Sequence, residues 1–256
     1  LRLGITYSLL FHFPTLNIHL FVPCLVDQAA PLTAVAARRI LEKLGHKAIY
    51  DRRQTCCGQP LFNAGFRHEA RSLAERFVRL FADAEVVVAP SGSCVAMVVK
   101  HYVELDLAPA IAKEWEALRY RIFELCSFLV NRLGITDLGA YFPHRVTYHA
   151  SCHYLRGLGE RGAPRQLLEK VEGLELIEGD WGEECCGFGG VFSVKYPALS
   201  RHIADRRAAS LAAGGAEYIT GVDDSCLGHL TQAFRRLQKP QQTLHIARIL
   251  ANAVLQ

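Results

Sequence analysis

Short apolar runs alternate with helical stripes along the chain, and the order in which they come repeats. "HLFVPC", residues 19–24, predicts a buried strand ending at Cys24. Pro31 stands where a helix can begin, because its fixed φ and absent N–H suit a first turn. Val35, Ala36, Ile40 and Leu44 carry that helix as a stripe, which Gly45 stops. "HKAIYD" predicts a second strand. "FRHEARSLAERFVRLF" sets Phe66, Ala70, Leu73, Phe77 and Leu80 on one face of an amphipathic helix, and "AEVVVAPSGSC" predicts a third strand running into Cys94. The order then restarts with the strand "HRVTYHASC", a helix around "PRQLLEKV", the strand "LELIEG", the helix "SRHIADRRAASLAAGG" and the strand "AEYITGVDDSC". Strands alternating with helices predict an α/β fold with parallel sheets, here two pseudo-repeated β-α-β modules.

The expected divisions are an N-terminal extension over residues 1–18, a first module over 19–135 and a second over 136–256. At 256 residues, 50% of them hydrophobic, the chain can bury a full core without an external staple. The formal net charge is +4, and Lys and Arg are scattered among acids rather than gathered into the stripe that nucleic acid requires. No apolar run reaches the roughly 18 residues of a membrane span. The nearest, "LGITYSLLFHFP", ends at Pro14 and lacks a small-residue cleavage site, so residues 1–17 read as an appendage and not as a signal peptide.

The nine cysteines change the picture. Cys56-Cys57 and Cys185-Cys186 are vicinal pairs, each followed by a glycine. Thirty-one residues separate Cys24 from the first pair and 36 separate that pair from Cys94; in the second half, Cys152 and Cys226 flank their pair at 32 and 39 residues. The copies are therefore offset by 128, 129 and 132 positions at the three points, and eight of the nine cysteines fall in register. Each of these eight lies at or just after the carboxyl end of a predicted strand, the edge where parallel sheets form binding crevices. Two four-thiol sites are expected. The ninth, Cys126 in "RIFELCSFLVNRL", shares an apolar stripe with Ile122, Leu129 and Leu133 and reads as core.

Three chemistries fit four thiols. Disulfides need an oxidising compartment, for which nothing else in the chain argues. Zinc accepts four cysteines, but structural zinc sites favour close C-x2-C knuckles, which neither half contains. An iron-sulfur cluster offers several irons, so adjacent thiolates can bind different metal atoms. "GFGG" after the second pair lacks G-x-G-x-x-G spacing, so neither flavin nor nicotinamide has an evident seat. Lys195, Arg156, His149 and His153 lie near the second set as charges or donors for an anionic centre, or as ordinary solvated charges and strand-end partners. Phe188, Phe192 and Tyr196 read equally as partner surface or core.

Six motifs, "FVPCLVD", "TCCGQPLFNAG", "VVAPSGSC", "FPHRVTYHASCHYLRGLG", "EECCGFGGVFSVKYP" and "LHIARIL", carry a resemblance over residues 19 to about 252. The chain resembles the cysteine-rich CCG family, whose domain occurs twice in heterodisulfide reductase B subunits and in the iron-sulfur subunits of glycolate oxidase and anaerobic glycerol-3-phosphate dehydrogenase, and within it the lactate-utilising members. The resemblance implies a cytoplasmic, non-autonomous electron-transfer subunit that helps oxidise L-lactate to pyruvate with two co-encoded partners, one a ferredoxin-type iron-sulfur protein. It also implies two clusters, one on Cys24, Cys56, Cys57 and Cys94 and one on Cys152, Cys185, Cys186 and Cys226. The fullest CCG motif ends in C-x2-C, whereas the last position here is Met97 or His229. Four thiols per site point to 4Fe-4S clusters rather than non-cubane ones, with zinc in one site, a zinc-stabilised scaffold, and glycolate or a disulfide as substrate as the alternatives.

Overall fold

The computed structural model describes residues 14–177 and 183–252; residues 1–13, most of the expected extension, lie outside the described residues. Two four-stranded, wholly parallel sheets form the frame. In the first, β1 (Asn17–Leu20), β2 (Lys47–Ile49), β3 (Val86–Ala89) and β4 (Ile122–Glu124) lie in the order β2-β1-β3-β4. In the second, β5 (Arg145–Tyr148), β6 (Glu175–Leu176), β7 (Tyr218–Gly221) and β8 (Gln242–His245) lie in the order β6-β5-β7-β8. The register repeats as well, with Ile18 opposite Val86 in one sheet and Val146 opposite Tyr218 in the other. In both sheets the chain reverses its direction of travel between the two central strands. That is the point at which an open α/β sheet leaves a crevice outside its carboxyl ends.

The helices between strands follow the apolar stripes with two rotations and one break; in the first, Val35 is exposed while Ala36 and Ile40 are buried together with Ala37 and Leu41. Pro31 is the first residue of the helix Pro31–Lys43, as its backbone chemistry predicts. The helix Arg67–Phe81 buries Ala70, Ala74, Phe77, Val78 and Phe81, while Phe66 is exposed. Of the expected face, Ala70 and Phe77 are buried, Leu73 and Leu80 lie at its edge, and the buried side is turned toward Ala74, Val78 and Phe81. The stripe through Cys126 is not one helix. Ile122–Glu124 form β4, and a short helix over Leu125–Ser127 follows, capped by the Glu124 carboxylate on the N–H groups of Cys126 and Ser127. Cys126 is fully buried in the apolar core.

The two halves share that core. It runs from Ile18, Leu20 and Val88 in the first sheet to Val146, Val222 and Ile249 in the second. The terminal helix Ile246–Leu250 lies on Pro31–Lys43. Where the helix Gly92–Ala96 meets the segment His153–Gly157, a Cβ on Gly92 would stand 2.7 Å from the Tyr154 Cβ, so only glycine admits this approach. The carboxyl edges of both sheets consequently open on a common side.

Candidate metal centres at the strand ends

Within each half the thiols come from three loops. Cys24 follows β1 through "FVP", Cys94 follows β3 through "PSGS", and Cys56-Cys57 sits in the loop after β2. Gln54 ties two of these loops together: its Oε1 accepts the Val22 N–H at 2.7 Å and its Nε2 donates to the Leu20 carbonyl at 3.3 Å. Tyr102, fully buried, donates its hydroxyl to the Cys57 carbonyl at 3.0 Å. Ser91 caps the helix that carries Cys94, accepting the Cys94 N–H at 3.3 Å.

Both vicinal pairs turn on a left-handed glycine. Gly58 (φ +87°) and Gly187 (φ +81°) each donate their N–H to the first sulfur of the pair, Cys56 Sγ at 3.4 Å and Cys185 Sγ at 3.3 Å. A side chain at Gly187 would be strained by this φ and would meet the Ser200 carbonyl at 2.8 Å. This turn explains why glycine follows each pair. It aims a backbone donor at the first sulfur while the second cysteine, Cys57 or Cys186, is driven into the core.

Hydrogen bonds from neighbouring thiols, together with that glycine N–H, favour the ionised form of the first cysteine. Cys24 and then Cys57 pull Cys56 down to about 3, and Cys152 and then Cys186 pull Cys185 down to about 2. The neighbours move the other way: Cys24, Cys57, Cys152 and Cys186 are raised by donating to these sulfurs and by burial. Cys152 and Cys185 have their sulfurs 3.8 Å apart. Each half thus places an anionic sulfur among further thiols, the donor chemistry that soft metals select. One cleft is lined by all eight of these cysteines, with His153, Phe188 and Asp224 among its other walls.

The remaining candidates sort by distance from this cleft. His153 lines it, with Nδ1 3.6 Å from Cys152 Sγ. His149 is buried, and one of its ring nitrogens and the sulfurs of Cys186 and Cys226 all lie within 4.8 Å of one another. Its ring does not serve the strand end; Nδ1 accepts from Arg207 Nε at 3.4 Å, and burial followed by the charge of Arg207 lowers its pKa to about 3. His229 is not grouped with the thiols: its Nε2 meets Ser200 Oγ at 3.1 Å, and Ser200 in turn donates to the Gly187 carbonyl. It braces the second turn from behind. Met97 is fully buried in the first half's core. Arg156 donates to the Glu183 carbonyl at 2.9 Å, steadying the segment before the second pair. Phe188 is a wall of the cleft, Phe192 packs on Tyr196 with ring centres 5.6 Å apart, and Lys195 is exposed at the end of the helix Val191–Lys195.

Asp223 was not a candidate from sequence, yet it joins the halves. It occupies the N-cap position of the helix Asp224–Arg236 without capping it. Its carboxylate crosses to the first half instead, accepting Ser91 Oγ at 2.8 Å, Ser93 Oγ at 2.7 Å and the Ser93 N–H at 3.0 Å, and it also accepts the Ser151 hydroxyl. Of these partners, Ser93 directly precedes Cys94 and Ser151 directly precedes Cys152, while Asp223 itself stands three residues before Cys226. The available signal was positional: Asp223 stands three residues before Cys226, as Ser91 stands three before Cys94.

Comparison with known proteins agrees with this duplicated plan. The model of the cysteine-rich domain CCG matches residues 18–99 and again 146–231. Lactate utilization protein A of Bacillus pumilus is 40% identical over 235 residues, covering 92% of this chain and 99% of that protein. The protein of that name from Geobacillus thermodenitrificans is 41% identical over 236 residues, covering 92% and 98%. Among solved structures, a hypothetical protein from Helicobacter pylori has a TM-score of 0.65 at 12% identity, over 94% of this chain and 49% of that one. The chain spans about half of that protein, and the likeness is one of fold alone. With two matched domains, the thiols in register in both, and relatives matched almost end to end, the chain belongs to the cysteine-rich CCG domain family, in the group that includes lactate utilization protein A.

Proposed function

We propose that this chain is an iron-sulfur electron-transfer subunit in the oxidation of L-lactate to pyruvate. The observation that carries the reading is the convergence of two in-register four-thiol sets on one cleft, in a chain whose relatives are named for lactate utilization. Cys24, Cys56, Cys57 and Cys94 would hold one 4Fe-4S cluster, and Cys152, Cys185, Cys186 and Cys226 the other. When bound, such a cluster stores and passes single electrons. The chain's own part is to hold the anionic sulfurs: the Gly58 and Gly187 N–H groups donate to Cys56 and Cys185, and Gln54, Tyr102, Ser200 and Asp223 fix the loops that bring the thiols together.

Lactate gives up two electrons, and among the described residues that line the cleft only the thiols offer evident redox chemistry, with His153 and Asp224 as the groups able to carry a proton. The substrate step or the electron's exit then belongs to the two co-encoded partners in the cytoplasm. The apolar run Val194, Tyr196 and Leu199, exposed beside Lys195, is where one of them would dock. No helix among the described residues is long and apolar enough to cross a membrane.

Anaerobic purification tests this reading. Two 4Fe-4S sites require about eight irons per chain, in a brown protein that a strong reductant bleaches. The isolated chain should show no lactate-dependent dye reduction, and adding both partners should restore it. A colourless protein with zinc in both sites would replace this reading with a scaffold, and robust lactate oxidation by the chain alone would make it a catalytic subunit.

A further inference from the structure

The two halves can be matched position by position from their cysteines and turn glycines, and at two matched positions they differ in kind. His149 stands three residues before Cys152, and Phe21 stands three before Cys24. The glycine of each vicinal turn packs on the carbonyl of one helix residue, Ala70 for Gly58 and Ser200 for Gly187, and seven residues beyond these lie Phe77 and Arg207. In the first half the matched pair is two phenyl rings, edge to face with centres 5.0 Å apart. In the second it is an imidazole accepting a hydrogen bond from a buried guanidinium at 3.4 Å.

That hydrogen bond decides the tautomer. A nitrogen that accepts from an arginine N–H carries no proton, so the neutral ring carries its proton on Nε2. A ring in that state is a donor at Nε2 and cannot offer that nitrogen to a metal as a ligand. His149 Nε2 is buried and has no partner among the described residues, and buried donors are rarely left unmet. The sulfurs of Cys186 and Cys226 lie against the same ring. They are the acceptors at hand.

We propose that His149, oriented by Arg207, donates a hydrogen bond to the sulfur centre of the second half, and that this makes the second site the easier of the two to reduce, so that electrons entering the chain settle there. The inference rests on the cluster reading above. A donor to cluster sulfur favours the reduced, more negative form and raises its potential, and the phenyl rings of Phe21 and Phe77 supply none to the first site. In the internal transfer one electron leaves the first site, which is reoxidised, and reduces the second; no bond or proton is exchanged. The two sites of one chain then form a downhill pair with a fixed direction.

The test is a reductive titration of the anaerobic, iron-loaded full chain with dithionite, followed by visible absorption and electron paramagnetic resonance. Two unequal steps are expected, with the higher one lost in Cys185→Ser and retained in Cys56→Ser. His149→Phe, which copies the first half, should lower the higher step by about tenfold in its equilibrium constant, about 59 mV for one electron. The lower step and the iron content should not move. His149→Gln keeps an N–H donor and should preserve most of the gap. Should His149→Phe fail to load iron, Arg207→Leu decides in its place, since it leaves the imidazole but removes the group that sets its tautomer, and it should move the same step down. A His149→Phe chain with full iron and both steps at their wild-type positions overturns the inference and leaves the cluster reading standing, as does a higher step that belongs to the first half. A colourless, zinc-filled chain sinks both.

Discussion

Removing the Asp223 carboxylate is expected to cost both folding stability and both metal sites at once. The side chain is 2% exposed and accepts four hydrogen bonds, from Ser91 Oγ, Ser93 Oγ, the Ser93 N–H and Ser151 Oγ. In Asp223→Ala three hydroxyls and one amide lose their acceptor in the interior, at about 1–3 kcal/mol for each group left unmet. Two of the hydroxyls can turn to each other, because Ser91 Oγ and Ser93 Oγ are already 3.3 Å apart, and the cost of desolvating the carboxylate is recovered. The net loss should be about 3–5 kcal/mol, in line with breaking a buried charged network by removing one partner. For a chain of this length that is a fall of roughly 6–20 °C in melting temperature. Asp223→Asn keeps the shape and one acceptor oxygen and should lose less than half as much. The assay is thermal loss of visible absorption in anaerobic protein, with iron counted before heating. Because the four donors flank cysteines of both sets, iron should fall in both halves. A variant that melts within about 1 kcal/mol of wild type with its iron intact would refute the view that this carboxylate braces the two halves.

Three further outcomes follow from the same geometry. Cys185→Ser should remove roughly half of the iron while the first half keeps its spectrum, and loss of all iron would mean that the halves do not load independently. Gly187→Ala should be worse than Gly45→Ala, measured as stability and iron content, because both glycines have positive φ but only the Cβ at Gly187 meets a neighbour, the Ser200 carbonyl at 2.8 Å. Glu124, 1% exposed, has its carboxyl pushed up to about 8, chiefly by burial. Its folded value lies above the unfolded one of about 4.3, so its contribution is fully present below that pH and is lost as the pH rises through about 8. Between those limits the loss is on the order of 5 kcal/mol. Glu124→Gln should flatten the fall in melting temperature from pH 6 to 9, and an unchanged slope would show that Glu124 does not titrate there.

Much of the frame can be read from the chain itself because one period governs it. The cysteine register marks the duplication, and strand runs ending at Cys24, Cys94, Cys152 and Cys226 put the thiols at one sheet edge. The fourth strand of each sheet was not legible. Ile122–Glu124 is three residues long and merges into the helical stripe after it, while "QTLH" alternates too briefly to stand out. The turned face of Arg67–Phe81 has a similar cause: Phe66 fits the helical period, but it precedes the helix and points to solvent. Nor could spacing reveal Asp223, whose partners are over 70 positions away. An aspartate before a helix reads locally as a cap, and only the approach of the second half redirects it.

The differences between the halves cluster around the second site. Phe21, Phe77, Ala70 and Met97 of the first half are matched by His149, Arg207, Ser200 and His229 of the second. All four first-half residues are buried and apolar, so at these positions the first vicinal pair is backed by hydrocarbon, its polar brace being the Tyr102 hydroxyl on the Cys57 carbonyl. A buried polar group destabilises the fold unless it finds a partner, so four such exchanges in one place would be costly if they were independent. They are not independent. Ser200 donates to the Gly187 carbonyl and meets His229 Nε2, and Arg207 donates to His149 Nδ1. Each new polar group thus relieves another, and the network closes around the turn that presents Cys185 and Cys186. Its member left without a partner among the described residues is His149 Nε2, on a ring buried beside the sulfurs of Cys186 and Cys226. A network that satisfies its other contacts and directs its remaining donor toward the thiols has an evident acceptor in an anionic sulfur centre. These four exchanges set polar side chains around the second pair at positions where the first half has apolar ones.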